Sequence, residues 1–137
     1  MATTAGIQLT SNLLSNAMSV NTSTSMMKAG TTSDSIDQMD TGYIEIATGD
    51  VYDILDATVL GLDKANKVYI CNDSTDESYY VAVTIKAEVI GRLYAGDWMF
   101  IPWGAEHADS DIGLEALVGT NKITYMLFHE GRTLTAS

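Results

Sequence analysis

The sequence predicts an all-β protein: a single small β-sandwich or jelly-roll-like barrel preceded by an extended N-terminal arm. Three observations carry that expectation. From Thr41 onward, apolar and polar residues alternate in runs of strand length. Gly- and Asp-rich turns separate the runs. Residues 1–40 are rich in Ser, Thr, Asn and Met and lack that rhythm. The 137-residue chain therefore divides into an arm over 1–40 and an all-β body over 41–137.

The arm carries scattered anchors: Ile7, Leu9, Leu13, Leu14, Met18 and Val20 in its first half, Met26, Met27, Ile36 and Met39 in its second. Leu13, Leu14 and Met18 have near-helical spacing, which allows a short helix near Ser11 to Ser19. Many Ser, Thr and Asn side chains oppose it by competing for backbone hydrogen bonds. The arm is read as mostly extended, spanning at most about 130 Å at roughly 3.3 Å per residue. A segment this polar regains its ordering entropy by lying on a partner.

In the body, Tyr43-Ile44-Glu45-Ile46 alternates and Thr48-Gly49-Asp50 turns the chain. Val51 to Leu62 reads as a longer strand or a strand pair. Lys67 to Cys71 is a strand, and Asn72 to Glu77 reads as a hairpin tip. Tyr79 to Ile85 is the strongest signal, with Tyr79, Val81, Val83 and Ile85 on one face. Glu88 to Tyr94, a turn at Ala95-Gly96-Asp97, Trp98 to Trp103, Leu114 to Val118 and Lys122 to His129 follow. About eight short strands with intervening turns are the pattern of a sandwich or jelly roll.

Charge excludes several functions. The net charge of −11, with only seven Lys and Arg, argues against nucleic acid. No apolar run approaches the roughly 20 residues that cross a bilayer, and no basic amphipathic face serves a lipid surface. No membrane partner is expected. Cys71 is alone and forms no intrachain disulfide; it reads as a buried strand thiol, not a nucleophile. The N-terminus lacks the basic start and continuous apolar core of a secretory signal, so synthesis in a cytoplasm is expected. Asp109-Ser110-Asp111 and the Asp73, Asp76, Glu77 group supply clustered oxygens of the kind Ca²⁺ prefers, but neither matches an EF-hand loop, and solvated loop tips are the plainer reading.

The strand Trp98 to Trp103 is apolar on both faces. Alternation sets Trp98, Phe100 and Pro102 against Met99, Ile101 and Trp103. One set is expected to meet another subunit. Ile7, Leu9, Leu13, Leu14, Met18, Met26, Met27, Trp98 and Trp103 are accordingly the candidate partner-binding residues.

Two resemblances bear on function. Gly96-Asp97-Trp98-Met99-Phe100-Ile101-Pro102-Trp103-Gly104-Ala105-Glu106-His107 resembles the second conserved motif of the cupin family, in which the final His binds metal. Asp111 stands where that motif carries Asn. The family also implies two His and a carboxylate from an earlier strand pair, and no His precedes His107. One imidazole does not supply the three or four ligands a transition metal needs, so neither a cofactor nor catalysis is expected. The second resemblance rests on Lys67 to Asp73, Gly96 to Trp103 and Ile123 to Glu130. Together these are similar to virion proteins of tailed bacteriophages, most like head decoration (cement) proteins. The resemblance implies a non-enzymatic subunit, made in the host cytoplasm, that binds the outer capsid surface of the virion and staples neighbouring capsid subunits. The implied partners are the major capsid protein and further copies of the chain, with a trimer favoured. The alternatives are a tail, neck or fibre-adaptor protein and, from another class, a cupin-like metal enzyme or small-ligand binder.

Overall fold

The computed structural model describes residues 4–10, 19–25, 36–60 and 66–130. Ten strands run in chain order: β1 Thr4–Thr10, β2 Ser19–Ser25, β3 Ile36–Ile46, β4 Val51–Leu55, β5 Asn66–Asn72, β6 Tyr80–Ile85, β7 Glu88–Tyr94, β8 Trp98–Trp103, β9 Ile112–Val118 and β10 Asn121–Glu130. One helical turn, α1 Ala57–Leu60, follows β4. β1 and β2 pair with each other, while the other eight strands form two antiparallel sheets ordered β3-β10-β5-β8 and β4-β9-β6-β7. Among those eight, only β6 and β7 are successive strands in one sheet. Every other connection crosses between sheets, which is the winding of a jelly roll.

Alternation in the sequence builds the sandwich. Along β5, Asn66, Val68, Ile70 and Asn72 are buried, and the residues between them are half-exposed. Their inner row-mates continue across the sheet: Ile101, Val68 and Leu127 in one row, Met99, Ile70, Tyr125 and Gly42 in the next. The second sheet answers with Val81, Val83, Leu93, Ile112, Leu114 and Ala116. Fully burying an aliphatic side chain of this kind contributes about 1.5–3 kcal/mol. At position 42 the Tyr125 ring fills the space a Cβ would take, so only glycine fits opposite it.

Four expectations change. β3 begins at Ile36 and pairs with β10 along its length, so the sheet takes in residues assigned above to the arm. Val51 to Leu62 is not one extended run: β4 ends at Leu55, because Asp56 caps α1 by accepting from Thr58 N at 2.9 Å and Thr58 Oγ1 at 2.6 Å. Asn72 to Glu77 is not a hairpin tip, since β5 and β6 lie in different sheets. The arm is extended at β1 and β2, but the two strands double back on each other, with Ile7 opposite Thr22 and Leu9 opposite Val20. The helix considered near Ser11 to Ser19 falls largely on residues outside the described ones.

Candidate functional site

The outward side chains of the β3-β10-β5-β8 sheet form three cross-strand rows. The first runs Trp98, Cys71, Thr124, Tyr43; the second Phe100, Tyr69, Met126, Thr41; the third Pro102, Lys67, Phe128, Met39. The rows form because β8, β5 and β10 each carry large side chains in their outward phase, where a solvated sheet normally places polar residues. Trp98, Tyr43 and Met39 are 45%, 55% and 54% exposed. Ring contacts knit the surface: Tyr69 to Trp98 at 6.3 Å and Phe100 to Phe128 at 6.5 Å between centroids. Lys67 is the one charged residue in these rows, on a chain of net charge −11. Contiguous apolar surface of this kind marks interaction sites, and Trp, Tyr and Phe are the residue types that dominate binding energy at interfaces.

Cys71 sits in the first row. It is half-exposed on this outer face rather than buried, and its thiol donates to Asp73 Oδ1 at 3.3 Å. Asp73 also accepts a short hydrogen bond from Thr124 Oγ1. Burial first, then the Asp73 hydrogen bond, pushes the thiol pKa up, against a smaller lowering contribution from Tyr69. Burial, with Cys71 next, likewise raises Tyr69.

The candidate residues from sequence separate clearly. Trp98 lies on the outer face. Trp103 faces inward against the core, where its indole Nε1 donates to Ser110 O at 2.8 Å. Ile7 and Leu9 lie in β1, where only the backbone is described. Leu13, Leu14, Met18, Met26 and Met27 lie outside the described residues. Met39, read from sequence as an anchor of the arm, lies on this face, joined by Tyr69, Met126 and Phe128, which sequence reasoning misses; the outward apolar phase of Met126 and Phe128 is the available signal.

The metal-site candidates are dispersed. His107 is exposed in the β8–β9 loop, where its backbone N donates to Ser110 Oγ at 3.3 Å. His129 is buried on β10, its Nε2 sharing a hydrogen bond with Asp40 Oδ2 at 3.0 Å. Asp111 accepts from Ala57 N at 2.7 Å, Asp109 meets Lys86 at 3.4 Å, and Asp76 binds Ser78 through both backbone and hydroxyl. Those Ser78 hydrogen bonds hold the Asp76 carboxyl below its usual range. Among the described residues no group of three or more His, Cys, Asp or Glu converges to hold a metal ion. No helix among them is long and apolar enough to cross a membrane.

The chain matches no protein-family model and no curated protein. Two solved structures are similar in outline. A de novo designed double-stranded β-helix shares 14% identity at a TM-score of 0.42, over 66% of this chain and 99% of its own. A cupin protein from Bacteroides fragilis shares 17% identity at a TM-score of 0.37, over 72% of this chain and 71% of its own. The jelly-roll assignment rests on the strand order itself.

Proposed function

We propose that the chain is a non-enzymatic structural subunit of a virus particle, most like a head decoration protein of tailed bacteriophages. It binds the outer capsid surface and stabilises contacts between neighbouring capsid subunits. The observation that carries this reading is the aromatic outer face of the β3-β10-β5-β8 sheet, with Trp98, Phe100, Tyr69 and Phe128 at its centre. A lone charge among those rows, on a strongly acidic chain, gives a docking surface with little charge to desolvate. The β1–β2 hairpin adds a second attachment: two strands alone are marginally stable in water and gain order on a partner surface. Many copies fixed on a symmetric shell make individually weak contacts sufficient. The occupant of the aromatic face is the major capsid protein; the virion setting is carried by the sequence resemblance.

The test is immunogold electron microscopy of purified particles from the source, paired with rebinding of recombinant full-length chain to stripped particles. Label spread over the head, and rebinding lost in Trp98→Ala and Phe100→Ala, supports the reading. A chain lacking residues 1–35 keeps β3 intact and should bind more weakly. Label at one vertex moves the protein to a tail, neck or fibre-adaptor role. Absence from particles defeats the proposal, and near-stoichiometric Fe, Mn, Ni or Zn in the purified protein would favour the cupin-like alternative.

A further inference from the structure

The opposite face of the sandwich carries an arrangement that docking to a shell does not use. On the outside of the β4-β9-β6-β7 sheet, one cross-strand row reads Val51, Glu115, Ala82, Arg92. Arg92 is held in place without an acid: its guanidinium lies 4.5 Å from the Tyr80 ring centroid, and Nη1 donates to Tyr94 Oη at 3.1 Å. Glu115 is half-buried on β9. Among the described residues neither group has an ion-pair partner. They do not pair with each other within the chain. Ala82 separates them, so their Cα atoms are two strand spacings apart, about 9.6 Å.

We infer that this face pairs with a second copy of the chain about a two-fold axis running along β6, each Arg92 meeting the other copy's Glu115, which makes a dimer in place of the trimer that the sequence resemblance favours. The geometry is self-complementary. A two-fold axis along the middle strand carries β9 of one copy over β7 of the other, and the reverse, so one row yields two identical ion pairs. Tyr80 and Tyr94 pre-orient the guanidinium, which lowers the entropy lost on pairing. Beside the charged row the face exposes Val51, Tyr94 and Val118, with Asp53 in the neighbouring row. Free copies of charge −11 repel one another. Two Arg92–Glu115 pairs across the contact offset part of that repulsion. This pairing is independent of the aromatic face, which stays open for the shell.

The test uses the full chain in sedimentation velocity over a range of micromolar concentrations. A dimer is expected, with Arg92→Glu and Glu115→Arg each weakening association by about tenfold or more and the double swap restoring it. Weakening should be greater at low salt, where the repulsion introduced is least screened. Trp98→Ala on the other face should leave the dimer intact while impairing shell binding, so this pairing and the shell reading fail separately. A monomer throughout, a trimer, or a dimer indifferent to both single substitutions overturns the inference. Should a single variant fail to fold, hydrogen exchange on the native chain decides. Slower exchange along β7 with rising concentration supports the pairing, and unchanged exchange there overturns it.

Discussion

The carboxamides of Asn72 and Asn121 meet inside the sandwich, Asn72 Nδ2 donating to Asn121 Oδ1 at 3.1 Å. Both belong to the first sheet, yet their remaining donors reach the second. Asn72 Nδ2 also donates to Leu93 O at 2.9 Å, and Asn121 Nδ2 shares its two hydrogens among Tyr80 O, Val118 O and Gly119 O, all at 3.0–3.2 Å. Ser74 completes the set, with its backbone N donating to Asn72 Oδ1 and its Oγ accepting from Lys122 N. This polar link does between the sheets what hydrogen bonds do within them. Asn121→Ala strands buried carbonyls and the Asn72 amide together, at about 1–3 kcal/mol for each unsatisfied group. A loss of about 3 kcal/mol in urea unfolding is expected; a loss under about 1 kcal/mol would mean that the link is not structural.

The β6–β7 hairpin turns through Lys86 and Ala87 with φ of 55° and 63°. Two successive left-handed residues make a type I′ turn, whose preferred residues are Asn and Gly. Ala87 therefore holds a conformation that its Cβ disfavours by roughly 1–2 kcal/mol. Ala87→Gly relieves it, partly offset by a looser unfolded chain. A rise in melting temperature of a few degrees is expected, corresponding to about 0.5–1 kcal/mol. A drop would show that the turn relaxes around Ala.

Asp53 lies on the outer face of β4, opposite Gly113. Burial first, then the nearby Asp111 and Asp56 carboxylates, raises its pKa above the ordinary aspartate range. The folded protein therefore holds that proton more tightly than the unfolded chain. Stability from this group declines as pH rises from the unfolded value through the folded one, and the penalty persists above both. Asp53→Asn should melt higher than the native chain at neutral pH, with the gap closing as acid protonates Asp53. Parallel melting curves at every pH would contradict the assignment. The exposure of Asp53 keeps the effect small.

Legibility in the sequence followed the range of the interaction. Period-two alternation over Tyr79, Val81, Val83 and Ile85 is local, and it placed Val81, Val83 and Ile85 of β6 on the inner face, while Tyr79 precedes the strand and lies outside that cluster. The two-sided apolar character of Trp98 to Trp103 is also local, and it separated Trp98 from Trp103 before any pairing was known. The ring partners of Trp98 and Phe100 were not legible, because Tyr69 and Phe128 reach that surface through the β8-β5-β10 order, which joins strands far apart in sequence. The same reason explains Asn72 to Glu77. Its turn-forming residues announce a reversal, but whether the chain returns to the same sheet is decided by long-range pairing. Arg92 and Glu115 were invisible as a pair until Ala82 placed them in one row.

Cys71 provides a reporter for the aromatic face without any substitution, since it is the only cysteine and lies between Trp98 and Thr124. Its raised pKa leaves less thiolate at neutral pH than an ordinary cysteine has, and thiolate is the reacting species. Alkylation of the free protein by iodoacetamide should therefore be slower than that of a model thiol and should accelerate as pH rises. Asp73→Asn removes the carboxylate that accepts the thiol proton and disfavours a second negative charge beside it. The variant should react faster at neutral pH. Rates unchanged by Asp73→Asn would mean that access, not ionisation, limits the thiol. On particles the same measurement tests docking, because a shell seated on the Trp98 row covers the sulfur whatever its charge. Protection there, reversed in Trp98→Ala, places the partner on this face, whereas equal rates free and bound place it elsewhere.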